Sequence, residues 1–486
     1  MIRNYLTKFI SSQKFDFSKI GTYLLTVGEG AVDLVVTLIT LIMVERFLGQ
    51  QGLGIFSYLL STFFIVGYLA EMGISRFVER NIAINTGNGK VQADIVSDAF
   101  QAVLYVSFAC MAIFLVLSGY YASHTQIEER IVAYLIIGLT IPFRNFNGLK
   151  LALMLGTGRH DRVAKLKTQK RLIVLASIYF LLIMKIPASW LVSGFLISEL
   201  YMMIQLWNQA DLPKTRSAFA DLNRLGNTLK SALRYLFTDD ALDVLLYMDF
   251  LVLGLFVSSW DLGIYAEASI IARFFLLIPV SVKPIFRQQY CASAARGDGV
   301  RNAAVFHKTT MIMFFLHAVL GLYFLLYFSD VVNFFFQTIG KEELMSFQIF
   351  RVIFPGLLFF SAVTAQESIY EAEGRVPALQ NLVIIITLMN VVLNFYLVPF
   401  AGFFGAATAT TVSMFIYFLL FGRGLNTVYR VNKLLYLCVG CAVYLTYIFE
   451  KWMGGGFIVT FWMAPVMLFA LFYFMDFFKF EDRLKI

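Results

Sequence analysis

Apolar runs of helix length recur along the chain from residue 20 to residue 476, separated by short polar segments. They fall at 20–43, 55–73, 97–118, 131–155, 171–186, 188–207, 233–257, 263–282, 307–328, 347–369, 379–398, 403–421, 434–449 and 457–476. A helix rising 1.5 Å per residue needs about 20 apolar residues to cross a bilayer core. The fifth and thirteenth runs are short and the seventh is acidic, which brackets the count at twelve to fourteen spans. Barrel strands alternate polarity over about 10 residues, and these runs do not. The pattern predicts an all-α polytopic membrane protein. Span one is too long for a cleavable signal and lacks a small-residue cleavage site.

Composition agrees: 59% of the 486 residues are hydrophobic and only 14% are charged. Soluble domains carry about a quarter charged residues. The charges that remain set an orientation. With the N-terminus inside, the outer segments hold only Arg46, Arg130, Lys185, Lys341 and Lys451. Arg144, Lys150, Arg273 and Arg351 lie within spans, and the rest of the 39 basic residues fall on the inner side, as the positive-inside rule requires. Both termini are expected in the cytoplasm. The net charge of +8 then reflects attraction to anionic inner-leaflet lipids, not nucleic-acid binding. Residues 1–19 carry Ile2, Leu6, Phe9 and Ile10 on one face, with Arg3 and Lys8 beside it, which suits an interfacial helix.

The two halves echo each other. Gly52-Leu53-Gly54-Ile55 reappears as Asp261-Leu262-Gly263-Ile264, Glu29 and Asp33 as Asp239 and Asp243, and Gly158-Arg159 as Gly374-Arg375. Each match lies six spans on from its partner. Such spacing predicts two parallel six-helix lobes related by a pseudo-two-fold axis along the membrane normal, a common plan of transporters. The organisation expected is a cytoplasmic amphipathic N-terminus (1–19), an N-lobe (20–207), a cytoplasmic linker (208–232), a C-lobe (233–421), two extra helices within 434–476 and a cytoplasmic tail (477–486).

An ionisable residue at the bilayer centre costs several kcal/mol, so it tends to face a wet cavity and to have a task. Thr22, Thr26, Glu29, Asp33, Thr37 and Thr40 form one polar stripe on span one, and Asp239, Asp243 and Tyr247, with Asp240 adjacent, repeat it on span seven. These acids are candidates for ion coupling or gating; the structural alternative is pairing with cations of a neighbouring helix. Arg144, Arg273, Arg351 and Lys150 are the candidate cavity cations. Arginine keeps its proton and its fork fits phosphate oxygens, so such a cleft suits a diphosphate. Each arginine has a buried ion pair or a snorkelling end position as its alternative, and Lys150 is the best snorkeller. Pro142 and Pro355 sit near Arg144 and Arg351, where kinks are tolerated beside a cavity. His317 fits an interhelical hydrogen bond better than a proton relay, Cys438 and Cys441 fit packing, and Gly402, Ala406, Ala409 and Ser413 form a small-residue packing stripe. No nucleotide-binding loop, metal cluster or Ser/His/Asp set stands out. A transporter that is not an enzyme, with no catalytic residue, metal or cofactor of its own, is the expectation.

The stretch ERFLGQQGLGIFSYLLSTFFIVGYLAEMGISRFVERNIA resembles the N-terminal signature of the bacterial polysaccharide (repeat-unit, O-antigen) transporter family. That family belongs to the multidrug/oligosaccharidyl-lipid/polysaccharide exporter superfamily. MDFLVLGLFVSSWDLGIYAEASIIARFFLLIPVSVKPIFRQQ looks like its second-half counterpart, and VPFAGFFGAATATTVS like its later helix-start motif. The resemblance implies a flippase in the bacterial cytoplasmic membrane. Its cargo would be an undecaprenyl-diphosphate-linked oligosaccharide, moved from inner to outer leaflet by alternating access with ion or proton coupling. Lipopolysaccharide, capsule or exopolysaccharide export is the implied setting. Partners would be the lipid-linked oligosaccharide, membrane lipids, and a polysaccharide polymerase with glycosyltransferases. A cation-coupled multidrug and toxin exporter is the runner-up, and a non-transporting scaffold of a glycan assembly complex is the alternative of another class.

Overall fold

The computed structural model describes residues 20–425, except 86, 125–127, 208–221, 237–240, 295–298, 337–340, 365 and 424, and isolated residues between 436 and 448. The two extra helices expected within 434–476 and the first nineteen residues lie outside this description. The described residues form helices and no strands. In chain order the elements are α1 (Ile20–Glu71), α2 (Ile74–Ile84), α3 (Gly89–His124), α4 (Glu128–Gly156), α5 (His160–Ile183) and, after a 3-10 turn at Ala188–Val192, α6 (Ser193–Trp207). The linker helix α7 (Leu222–Leu233) precedes α8 (Ala241–Phe256), α9 (Ser259–Ala294), α10 (Gly299–Phe336), α11 (Lys341–Thr364), the short α12 (Ser368–Ala372) and α13 (Val376–Leu420).

Two elements are longer than any single span. α1 turns at Gly49 (φ 68°) and α13 at Gly402 (φ 54°), both left-handed positions that an L side chain resists. Each is therefore two helices joined without a loop. Among the described residues, seven segments are long and apolar enough to cross a membrane, and α1 and α13 are two of them. α4 and α5 are not, because polar residues such as Arg144, Asn145, Asn147 and Lys150 dilute α4 and residues 160–171 dilute α5. α8 is apolar but shorter. Large side chains such as Val116, Tyr120, Val392, Tyr396 and Phe400 are exposed, the surface a lipid-bathed helix presents.

The repeat is visible at atomic detail. Gly158 (φ 82°) and Gly374 (φ 67°) end their helices in the same way. The N–H of Arg159 donates to the Met154 carbonyl and that of Gly158 to Leu155; the N–H of Arg375 donates to Tyr370 and that of Gly374 to Glu371. This is one glycine cap used twice. Arg159 and Arg375 then open the following helices. Leu53 and Leu262 are both fully buried, and Gly54 packs directly on Gly263 and Ser259, so the two copies of that motif meet each other.

The lobes join chiefly through α1, against α8 and α9 and to a smaller extent α10; α4, α5 and α6 make no comparable contact with the C-lobe among the described residues. At one end of the N-lobe, amphipathic α2 and α7 lay Ile74, Val78, Ile82, Leu225, Leu229 and Ala232 into a second small core with α3 and α4. The Tyr68 hydroxyl donates to the Leu236 carbonyl, tying the linker to α1. Small residues set the close helix pairs: Ala406, Ala409 and Ser413 are buried, and Gly356 on α11 lies against Thr411 on α13.

Candidate functional site

Two adjoining cavities flank the C-terminal half of the polar stripe on α1. One, about 360 Å³, lies between Val35, Thr37, Leu38 and Leu41 of α1 and Ile270, Arg273 and Phe274 of α9. The other, about 310 Å³, is lined by Thr37, Thr40 and Phe64 of α1, Arg171 and Val174 of α5, and Phe195 of α6. Thr37 and Leu41 line both, so the stripe separates a C-lobe arginine from an N-lobe arginine. Thr40 satisfies itself by donating to the Val36 carbonyl at 2.7 Å, which lets a hydroxyl sit on an apolar helix at little cost.

An aromatic pair bridges the lobes beside these cavities. Phe64 of α1 stacks on Tyr247 of α8, with ring centroids 4.7 Å apart and planes 16° from parallel. Three guanidinium groups gather on it. Arg273 lies 4.1 Å from the Tyr247 ring centre. Arg144 and Arg171 lie 5.7 and 5.9 Å from that of Phe64. Arg144 also stands 5.0 Å over Phe63, donates to the Phe63 carbonyl at 3.2 Å and rests on Gly67. Such contacts contribute about 0.5–2 kcal/mol each, and a guanidinium fork is the group whose geometry matches phosphate oxygens. Positive charge from both lobes thus converges on one spot.

Lys150 and Arg351 lie apart from this cluster. Lys150 stands over the Trp207 ring at 5.4 Å and reaches toward the Leu206 carbonyl at 3.5 Å, at the end of α6, a snorkelling geometry. Arg351 is exposed, 5.7 Å above the Phe347 ring on its own helix. Glu29 and Asp33 fall in α1 and Asp243 in α8, but their side chains lie outside the description; Asp239 lies outside it altogether.

Several charged groups that the sequence reading passed over are built into the helix contacts. Glu199 of α6 is fully buried. It accepts from Lys170 of α5 at 2.5 Å and from the Asn147 amide at 2.9 Å, directly behind the arginines. Asp249 of α8 is buried and accepts from Thr410 at 2.5 Å, Tyr265 at 2.6 Å and Asn394 at 2.9 Å. The Asn394 amide also approaches the Asn390 side-chain oxygen at 3.1 Å, and the Asn394 carbonyl oxygen is buried without a hydrogen-bond partner. One carboxylate among neutral oxygens in a dry pocket can hold a monovalent cation or a proton, because a buried charge needs a counter-charge. Lys283 pairs with Glu367 at 2.6 Å, and the Tyr417 hydroxyl donates to the same carboxylate. Arg171 was hidden for a different reason: it begins the apolar run of α5 and reads as the last cation of a loop. Glu199 and Asp249 were readable, each an acid inside an apolar run.

His317 bridges helices, its two ring nitrogens 2.6 Å from the Met313 carbonyl and 2.7 Å from that of Phe275 on α9. Among the described residues no group of three or more His, Cys, Asp or Glu forms a metal site.

Comparison with protein-family models and with curated proteins finds no match. Solved structures do match. The chain is similar to the lipid II flippase MurJ in its inward closed conformation, with a TM-score of 0.67 and 16% identity over 96% of this chain and all of that one. It is similar to an inward-facing multidrug-resistance MATE family transporter of the MOP superfamily, with a TM-score of 0.63 and 14% identity over 85% of this chain and 96% of that one. A MATE structure in complex with MaL6 follows, at 0.56 and 13% over 83% and 94%. At these identities the likeness is one of fold. The chain shares the two-lobed helical architecture of these membrane transporters.

Proposed function

We propose that this chain is a flippase of the multidrug/oligosaccharidyl-lipid/polysaccharide exporter superfamily, placed in the bacterial cytoplasmic membrane with both termini inside. It moves an undecaprenyl-diphosphate-linked oligosaccharide from the inner to the outer leaflet by alternating access. The observation that carries the substrate class is the convergence of Arg144, Arg171 and Arg273, from both lobes, on the Phe64–Tyr247 bridge. A diphosphate brings two charges and many acceptor oxygens, and it can engage forks on both lobes at once. A ligand held by both lobes favours whichever arrangement lets all three forks reach it, and that differential binding is what moves a two-state equilibrium. The fold shared with MurJ, a lipid II flippase, supports the same reading.

In this scheme the Gln50 end of the bundle is the outer end, by the distribution of lysine and arginine, and the sugar occupies water in the cleft while the lipid tail stays in the bilayer. Arg351 and Lys150 serve entry and exit, away from the bridge. Coupling falls to the acids of the first and seventh predicted spans, Glu29, Asp33, Asp239 and Asp243, with Asp249 of α8 as the best-built site for the coupled ion.

The multidrug reading keeps one observation in its favour, the shared MATE fold. Reconstitution separates the two. Proteoliposomes holding a fluorescent polyprenyl-diphosphate glycan should show leaflet exchange that Arg144→Gln, Arg171→Gln and Arg273→Gln each cut at least tenfold. Exchange unaffected by all three, or export of organic cations in place of the glycan, would overturn the proposal.

A further inference from the structure

In the orientation proposed above, Arg46 is one of the few basic residues on the outer side, against the positive-inside bias, and a cation kept there calls for a task. It stands in the last helical turn of α1 before the left-handed turn at Gly49. The lobes are close at this end, where Gly263 of α9 lies against the Gln50 carbonyl. The Arg46 guanidinium crosses to the other lobe and takes hold of the end of α10. Its Nε donates to the Phe335 carbonyl at 3.2 Å and its Nη2 to the Phe334 carbonyl at 3.1 Å. α10 ends at Phe336, and the last four carbonyls of a helix have no partner within it. They also form the negative end of the helix dipole, where a cation is favoured. A rigid fork of N–H donors can serve two successive carbonyls at once, which a lysine ammonium matches poorly.

Both sides of this contact are anchored. α10 departs from helical geometry at Tyr327 (φ −112°, ψ 23°), so 328–336 is a short helix of its own. Phe328, Val332 and Phe336 are buried, and the Phe328 ring centre lies 5.2 Å from that of Phe347 and 5.1 Å from that of Phe350, both on α11. The segment that Arg46 holds is therefore fixed to the body of the C-lobe. On the α1 side Val44 is fully buried, and the Phe47 ring meets Tyr179 of α5 edge-on at 6.5 Å. Arg46 itself is exposed, so its fork can exchange the carbonyls for water without any unfolding. The repeat that pairs Leu53 with Leu262 puts Leu255 in the place of Arg46, so the second half carries no twin of this contact.

We infer that Arg46 is an interlobe latch: its fork caps α10 while the lobes are joined at the Gln50 end and lets go when they part. On release, water takes over the guanidinium and both carbonyls. A charge-assisted hydrogen bond between exposed groups gains little over its bonds to water, so two of them bias the closed arrangement by about tenfold and do not trap it. The bias needs the fork, not only the charge.

The latch rests on the alternation of lobes in the proposed function, not on its substrate. The test uses the full chain in lipid nanodiscs, with native cysteines replaced and spin labels on Trp190→Cys, in the turn before α6, and Trp260→Cys of α9. Both positions are exposed, one on each lobe and neither in the latch. Pulsed electron-electron distance measurement should show a short and a longer separation. Arg46→Ala should shift their ratio about tenfold toward the longer one, and Arg46→Lys, which keeps the charge without the fork, should fall between the two. The midpoint of thermal unfolding should stay within a degree or two in both variants, because the residue is exposed. A distance distribution unchanged in Arg46→Ala, an Arg46→Lys indistinguishable from wild type, or a large loss of thermal stability without opening each overturns the latch. Absence of glycan exchange in the wild type, with the distances responding as expected, counts against the substrate proposal alone and leaves the latch supported.

Discussion

The Gly54–Gly263 contact gives the sharpest mechanical prediction. An alanine methyl built at Gly54 overlaps the Ser259 carbonyl oxygen and stands 2.8 Å from the Gly263 nitrogen and 3.0 Å from the Ser259 carbonyl carbon. Every one of those atoms is backbone, so no side chain can swing away. Carbon atoms in contact settle near 3.5–4.0 Å, and overpacking of this kind costs about 1–3 kcal/mol. What matters is where the cost falls. The clashing atoms belong to α9, on the other lobe, so the strain exists only while the lobes are joined at this end. Separating them removes it without unfolding anything.

A cost of about 1–3 kcal/mol on one of two states shifts their ratio by roughly 5–150-fold. With spin labels on Phe47→Cys and Trp260→Cys, two exposed positions flanking the contact, Gly54→Ala should therefore lengthen the label-to-label distance relative to the labelled wild type. Its midpoint of thermal unfolding in detergent should stay within a degree or two of the wild type. Gly263→Ala, whose methyl would meet the Gln50 carbonyl, should behave alike, and the double variant should add little because both act on one seam. Gly119→Ala, with nothing near its methyl, is the control. An unchanged distance distribution in Gly54→Ala, or a large loss of thermal stability without any opening, would refute the idea that this contact is a separable joint.

Three further outcomes follow from the buried groups and the caps. Glu199→Gln should lower thermal stability by about 3 kcal/mol, because it leaves the Lys170 ammonium beside Arg144 and Arg171 without its counter-charge, and pairing it with Lys170→Met should recover most of the loss on the same melting curve. Asp249→Asn should fold and keep its hydrogen bonds in part but lose the dependence of leaflet exchange on the coupling cation or pH. Asp249→Ala should in addition lower the melting temperature, since Tyr265, Thr410 and Asn394 lose a buried acceptor worth about 1–3 kcal/mol. Gly158→Ala and Gly374→Ala should each cost about 1–2 kcal/mol in denaturant unfolding by forcing a methyl into the left-handed region, and the two costs should add because the sites sit in different lobes.

How far the sequence could be read depended on whether a feature is local. Apolar runs located the long helices, because burial in lipid acts on every residue of a span, whereas amphipathic α2 and α7 fall in the gaps between runs. The glycine caps at Gly158 and Gly374 were legible as a repeat because a left-handed turn needs glycine wherever it occurs. What the runs could not show is that α1 and α13 turn at Gly49 and Gly402 with no polar loop between spans.

The charge networks divide along the same line. Polar stripes were legible because residues three or four apart share a helix face, and Thr37 and Thr40 do line the cleft. Glu199, Asp249 and Glu267 form no stripe. Glu199 and Glu267 are each one acid in an apolar run and Asp249 lies beyond the Asp239–Asp243 stripe of its run, and what makes each matter arrives from other helices: Lys170 29 residues away, Thr410 161 residues away, Ser346 79 residues away. A lone intramembrane acid costs several kcal/mol wherever it sits, so its presence alone argues for a partner, although the partner's identity is tertiary. The same reasoning separates the arginines. Arg144, Arg171 and Arg273 share an environment only because Phe64 and Tyr247, 183 positions apart, stack across the lobe boundary. A site made by two lobes is encoded twice, half in each, and becomes one site only when the lobes meet. That dependence is also what lets a ligand bound there report on, and drive, the relative position of the lobes.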